Sequence, residues 1–177
     1  LAVAVEDALQ LAEARLKASG HAVRVDLAPD LPLVRGGPVR LQQVIVNLLS
    51  NAADAMEGRA GAIELAARAV GEEVVMTVRD HGPGVAAAIA DRIFDPFFTT
   101  KTVGSGLGLG LSISYNIMKD FGGDLRVAHF FATHAMHFIP AAAIAAPHRS
   151  ARESTASRTR LRQAHPASPR AGPRTVR

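Results

Sequence analysis

Apolar residues recur along this chain with two periods, and the switches between them mark out its elements. Between Glu6 and Ala18, Ala8, Leu9, Leu11, Ala12 and Leu16 recur at helical spacing, predicting an amphipathic helix stopped at Ser19-Gly20. His21 to Leu27 alternates Val23 and Val25 against Arg24 and Asp26, the period of a half-buried strand. After a loop punctuated by Pro29, Pro32, Gly36, Gly37 and Pro38, the strongest helical pattern runs from Val39 to Glu57 and closes at Gly58. Ile63–Val70 and Glu73–Arg79 alternate as strands around Gly71-Glu72, which predicts an antiparallel hairpin. A short Ala-rich helix to about Ile93 and an irregular stretch rich in Phe, Thr and Gly lead to a second strong helix, from near Leu107 to Phe121. Leu125–Ala128 and Ala135–Ile139 complete the strands. Strands cluster instead of alternating with helices, so the pattern predicts an α+β fold, a two-layer sandwich of helices on one mixed, largely antiparallel sheet.

Composition narrows the class. Of 177 residues, 48% are apolar and 20% charged, enough to fill a core. Cysteine is absent, which excludes a disulfide scaffold, a thiolate metal site and a cysteine nucleophile. Aromatic residues reach only 5%, too few for a base-stacking platform. The stretch from Ala128 to Ala146 is the best membrane-span candidate, but His129, His134, His137 and Pro140 make it too polar to cross a bilayer unaided. With Glu6 and Asp7 where a signal peptide needs a basic start, the expectation is a soluble cytoplasmic domain. The net charge of +4 is unevenly placed: residues 141–177 hold eight arginines against one acid, while residues 1–140 hold 12 basic and 15 acidic groups. The predicted division is therefore a mildly acidic folded domain over residues 1–140 and a basic tail over 141–177 that reads as disordered. Nucleic acid is not expected as a partner, although salt-dependent binding through the tail is the alternative.

Three segments carry candidate chemistry. On the helix over 39–57, Leu41, Val44, Ile45, Leu48, Leu49, Ala52 and Met56 form one broad apolar arc. Beside it Asn47, Asn51 and Asp54 make a narrow polar stripe. Each Asn costs roughly a few tenths of a kcal/mol in a helix relative to Ala. The stripe is either a solvated face or a row of oxygens facing a cleft, where Mg²⁺ accepts one or two such ligands and completes its shell with phosphates and water. Asp80-His81-Gly82-Pro83-Gly84 follows a strand and places an acceptor on a fixed backbone, with glycines that let a flat ligand approach. In Gly104-Ser105-Gly106-Leu107-Gly108-Leu109-Gly110-Leu111, glycines alternate with residues expected to be buried and run into a helix, where bare N–H groups can meet an anion. The spacing is neither that of a P-loop nor that of a dinucleotide fingerprint.

Together these segments resemble the superfamily shared by gyrase, Hsp90, sensor histidine kinases and MutL. Asn47-Leu48-Leu49-Ser50-Asn51-Ala52-Ala53-Asp54-Ala55-Met56 is similar to its N box, and Asp80–Gly84 to its G1 box. Ile93-Phe94-Asp95-Pro96-Phe97-Phe98 is similar to the F box, and Gly106–Leu111 to the G2 box. The motifs stand in family order over residues 1–128. Thr99-Thr100-Lys101 is typical of histidine kinases, and Gly106–Gly123 is most similar to sensor kinases of the dicarboxylate-uptake type.

The resemblance implies a Bergerat-type ATP-binding fold and a role for each motif residue. Asn51 would coordinate Mg²⁺ with Asn47 assisting, and Asp80 would accept from the adenine amine over a pocket floor shaped by Gly82 and Gly84. The backbone at Gly106, Gly108 and Gly110 would meet the phosphates, and residues 95–105 would form a lid over ATP with Phe97 and Phe98 as hydrophobic latches. Asp54, Thr99, Gly104, Leu107 and Leu109 are the further expected nucleotide contacts, and Lys101 would neutralise phosphate charge. Superfamily members that hydrolyse ATP place Glu at the position of Asn47, whose amide cannot take a proton. The implied activity is thus donation of the γ-phosphoryl to a histidine on a separate dimerisation domain, ahead of a response regulator, within a membrane-bound homodimer. A superfamily ATPase or a serine-directed kinase is the alternative. The sequence departs from the pattern in four places. The acceptor-histidine helix is missing, and His21 reads as an ordinary surface residue. Gly37 stands where Asp is common, and Asp54 stands where many histidine kinases carry Lys. Beyond Ala128 the likeness fades to a gapped match at Ala135–Pro140, as a shifted reading frame near residue 129 would produce.

Overall fold

The apolar arc between residues 39 and 57 becomes the centre of the molecule. In a computed structural model that describes residues 1–101, 106–128 and 133–138, α2 spans Pro38–Ala55. Leu41, Val44, Ile45, Leu48, Leu49, Ala52 and Met56 are all buried, and Asn47, Asn51 and Asp54 lie half-buried along its flank. Pro38 starts the helix at a position where its missing N–H costs nothing.

Helix α1 (Ala2–Ser19) packs against α2 and begins four residues before the predicted start, because Ala4 and Val5 are themselves buried. Its contact stripe is Ala4, Val5, Ala8, Ala12 and Leu16, and Leu11, expected on the apolar side, is exposed. The small side chains let the two helices approach closely, and the long Leu11 falls outside the seam. Gly20, at φ 73°, closes the helix, and the His21 N–H donates to the Leu16 carbonyl. His21 is therefore no surface residue: it is buried at this cap, with neither ring nitrogen hydrogen-bonded.

Among the described residues five strands form one sheet in the order β1-β2-β3-β5-β4. They are β1 (Ala22–Leu27), β2 (Ala62–Val70), β3 (Glu73–Arg79), β4 (Asp124–Ala128) and β5 (Thr133–Phe138). β1 and β2 run parallel, with α2 in the connection between them, and the other pairs are antiparallel. Gly71, at φ 59°, opens the two-residue turn of the β2–β3 hairpin. Ile63, Leu65 and Ala67 of β2, Val74, Met76 and Val78 of β3 and Leu125 of β4 bury one face beneath the helices. This is the α+β sandwich on a mixed, largely antiparallel sheet. As an edge strand, β1 is less covered than its alternation suggested, and Val25 is exposed.

After β3 the chain makes a 3₁₀ turn over Ala87–Arg92 instead of an α-helix. α3 (Gly110–Asp120) starts three residues later than predicted, because Gly108 at φ 66° cannot be part of a right-handed helix. Its end at Phe121 is capped by Gly122 and Gly123, whose N–H groups donate to Lys119 and Met118. The predicted last strand is present as β5, and it fills the slot between β3 and β4. Among the described residues no helix is long and apolar enough to cross a membrane. The predicted tail over 141–177 lies outside the described residues.

Candidate functional site

β3 ends at Arg79, and the next residue, Asp80, is only 2% exposed. Its Oδ1 accepts from the Gly82 N–H at 2.8 Å, and its Oδ2 is buried without a hydrogen-bond partner. Burial pushes the Asp80 carboxyl above the usual carboxylate range, against the opposing pull of the Gly82 N–H and of His81. Gly82 has no room for a side chain. A Cβ there would stand 2.7 Å from Asp80 Oδ1 and 2.8 Å from the Ala55 carbonyl oxygen. The G1 segment thus lies against the C-terminal end of α2. Gly84 follows at φ 75°.

The polar stripe of α2 faces two other segments. Asn47 Nδ2 donates to the Gly110 carbonyl and to Ser114 Oγ, both at 3.2 Å, tying α2 to the first turn of α3. One turn on, Asn51 Oδ1 accepts from Lys101 Nζ at 3.2 Å, and Lys101 also pairs with Asp54 Oδ2 at 2.5 Å. The other oxygen of Asp54 is held by Arg15 from α1. Partial burial pushes the Asp54 carboxyl up, but the Lys101 and Arg15 hydrogen bonds and charges outweigh it and hold the group below its ordinary value. The Lys101 backbone N–H donates to Thr99 Oγ1 at 3.1 Å.

The glycine segment packs backbone to backbone. At Gly108 a Cβ would meet the Phe98 carbonyl oxygen at 2.6 Å, and at Gly110 the nearest atom would be Asn47 Cγ at 3.7 Å. The structure therefore brings together Asn47 with Gly110, Asn51 and Asp54 with Lys101, Asp80 with Gly82, and Phe98 with Gly108. One expectation fails: Leu107 is 76% exposed instead of buried, because Gly108 turns the chain before α3 begins. Of the two phenylalanines expected as latches of the lid, Phe97 is 73% exposed at φ 65°, while Phe98 is half-buried with the Arg92 guanidinium 4.7 Å over its ring. Leu109 is half-buried as the cap of α3, and Gly106 precedes it. Gly104 lies outside the described residues.

Arg15 and Ser114 were not foreseen, since neither stands in a motif. A cleft of about 570 Å³ beside α3, lined by Phe94, Asp95, Ser112, Tyr115, Lys119 and Asp124, touches the start of the expected lid at Asp95 but none of the residues expected to hold the metal, the adenine or the phosphates. Phe94 and Tyr115 pack there with ring centroids 5.0 Å apart. Among the described residues no group of three His, Asp or Glu side chains could cage a metal. The donor set that does fit a hard cation is the Asn51 amide oxygen beside the Asp54 carboxylate, where a lysine ammonium already sits.

Residues 36–164 match the family described as histidine kinase-, DNA gyrase B- and HSP90-like ATPase, so the likeness continues past Ala128. The chain is 42% identical over 124 residues to the C4-dicarboxylate transport sensor protein DctB of Rhizobium meliloti, covering 70% of this chain and 20% of that protein. Sensor histidine kinase ZraS of Escherichia coli is 38% identical over 124 residues, 70% of this chain and 26% of its own length. The chain thus spans about a fifth to a quarter of these relatives. Among solved structures, a nucleotide-free catalytic domain of histidine kinase ThkA superposes with a TM-score of 0.65 at 30% identity, over 79% of this chain and 91% of that one. Full-length ShkA in complex with AMPPNP gives a TM-score of 0.65 at 29% identity, over 78% of this chain and 30% of that one.

Proposed function

Because this chain belongs to the family of histidine kinase-, DNA gyrase B- and HSP90-like ATPases, we propose that it binds Mg·ATP and donates the γ-phosphoryl to a histidine on a separate acceptor domain. The observation that carries this reading is the buried, partnerless Oδ2 of Asp80 at the end of a core strand. An orphaned acceptor of this kind costs about 1–3 kcal/mol unless a ligand donor reaches it, and the exocyclic amine of adenine is such a donor. Gly82 lets the chain beside it pack against the end of α2, at a position where any Cβ would clash.

Asn51 would hold Mg²⁺ through its amide oxygen, with Asn47 and Asp54 close by. Bound there, the metal would offset the negative charge of the phosphates. The N–H groups leading into α3, at Gly106, Gly108 and Gly110, would face phosphate oxygens, with Lys101 adding a positive charge. Asn47 supports transfer over hydrolysis. Its Nδ2 is committed as a donor to Gly110 and Ser114, so this residue orients α3 and supplies no base for water. Alignment and charge neutralisation are what phosphoryl transfer chiefly requires.

In the whole protein this domain would serve a membrane-bound, homodimeric sensor of the C4-dicarboxylate transport type, with the domain itself cytoplasmic and a response regulator downstream. Calorimetry of a non-hydrolysable ATP analogue with and without Mg²⁺ tests the binding step. Magnesium-dependent binding lost in Asn51→Ala is expected, and its absence in folded protein refutes the reading. γ-Labelled ATP with an acceptor-histidine domain supplied in trans tests the transfer, and steady phosphate release without labelling favours an ATPase.

A further inference from the structure

We propose that the Lys101 ammonium holds the place of the metal ion when nucleotide is absent, and that Arg15 is a positioning residue setting how firmly Lys101 is held. This rests on the reading that Asn51 takes the metal. Asn51 and Asp54, three residues apart on α2, project over the same turn. Their oxygens converge on one atom, Lys101 Nζ, at 3.2 and 2.5 Å. An amide oxygen and a carboxylate oxygen are the ligands a hard divalent cation accepts, and an ammonium is a compact cation that competes for them.

Arg15 divides the carboxylate. It occupies Asp54 Oδ1 while Lys101 occupies Oδ2, so two cations share one negative charge and the trio carries a net charge of +1. A bare divalent ion meets positive charge at this spot and gains little by entering. A triphosphate reverses the balance, because its oxygens give the displaced ammonium a new partner and complete the shell of the metal. Metal and nucleotide therefore enter together. Arg15, reaching from α1, draws charge away from Oδ2 and keeps the Lys101 pair weak enough to exchange. Without it the pair tightens.

Titration of the full chain with Mn²⁺ alone, followed by electron paramagnetic resonance, tests this directly. Lys101→Met should raise nucleotide-free Mn²⁺ affinity by about fivefold, the scale of a partly exposed ion pair. Lys101→Arg should keep the ion out, and adding Asn51→Ala to Lys101→Met should abolish the gain. Equal Mn²⁺ affinity in wild type and Lys101→Met, or a gain that survives Asn51→Ala, overturns the proposal. For Arg15 the readout is a double-mutant cycle in Mg·AMPPNP affinity. Arg15→Gln should weaken binding about threefold in wild type and not at all in Lys101→Met. An equal loss in both backgrounds shows that Arg15 does not act through Lys101. Failure of the Mg·ATP reading is seen separately, as absence of nucleotide binding in the wild type, and leaves the Mn²⁺ comparison intact.

Discussion

Gly108 lies so close to Phe98 that a single added carbon on it would stand 2.6 Å from the Phe98 carbonyl oxygen. The contact is backbone against backbone, so no side-chain rotation relieves it. The left-handed φ of 66° adds a cost of about 1–2 kcal/mol for any residue with a Cβ. Gly108→Ala should therefore displace the segment that leads into α3. AMPPNP affinity should fall at least about tenfold by calorimetry, while far-ultraviolet circular dichroism stays that of the folded domain.

Asp80→Asn separates the site from the stability of the fold. One carboxylate oxygen is satisfied by Gly82 and the other is buried without a partner, so the ionised group strains the empty domain. In the native state burial raises the carboxyl above its unfolded value. The penalty is thus present at neutral pH and is relieved as pH falls through the raised native value. Asp80→Asn should lose ATP-analogue affinity by at least about tenfold without lowering the melting temperature at neutral pH. The difference in unfolding free energy between variant and wild type should move in favour of wild type on mild acidification.

Asn47→Asp replaces a donor by an acceptor that faces the Gly110 carbonyl. Urea unfolding at neutral pH should show a loss of about 1–3 kcal/mol, partly recovered when the new carboxyl is protonated. A variant as stable as wild type would mean that the α2–α3 tie contributes nothing.

Leu48 and Leu107 provide a matched pair. Leu48 is fully buried at the centre of α2, and Leu48→Ala should cost about 2–5 kcal/mol in urea unfolding. Leu107 is exposed, and Leu107→Ser should stay within about 0.5 kcal/mol of wild type.

Whatever repeats with a fixed period was legible before folding. The apolar arc of α2 is recovered residue by residue, and the β2–β3 hairpin falls where Gly71 breaks the alternation. The alternating leucines before α3 misled, because Leu107 is read as core only if the helix begins there, and Gly108, one residue on, is left-handed. The α1 stripe misled in a similar way: a seam of alanines has a weak hydrophobic signal, and the bulkier Leu11 outweighed it. In the site, the pairing of Asp80 with Gly82 is local and could be anticipated. The meeting of Arg15 with Asp54 spans 39 residues, and that of Lys101 with Asn51 spans 50. Such contacts depend on how two helices and a connecting segment are juxtaposed, which no local pattern encodes.

The place of β5 has a consequence for synthesis. The last strand among the described residues is an interior strand of the sheet, bonded to β3 on one side and β4 on the other. While a ribosome is still making residue 132, β3 has an open flank and β4 has no neighbour to bond to. The nascent domain must therefore wait for Phe138 to clear the exit tunnel before its hydrogen-bond ladder can close, and until then chaperones have the open edge of β3 to shield.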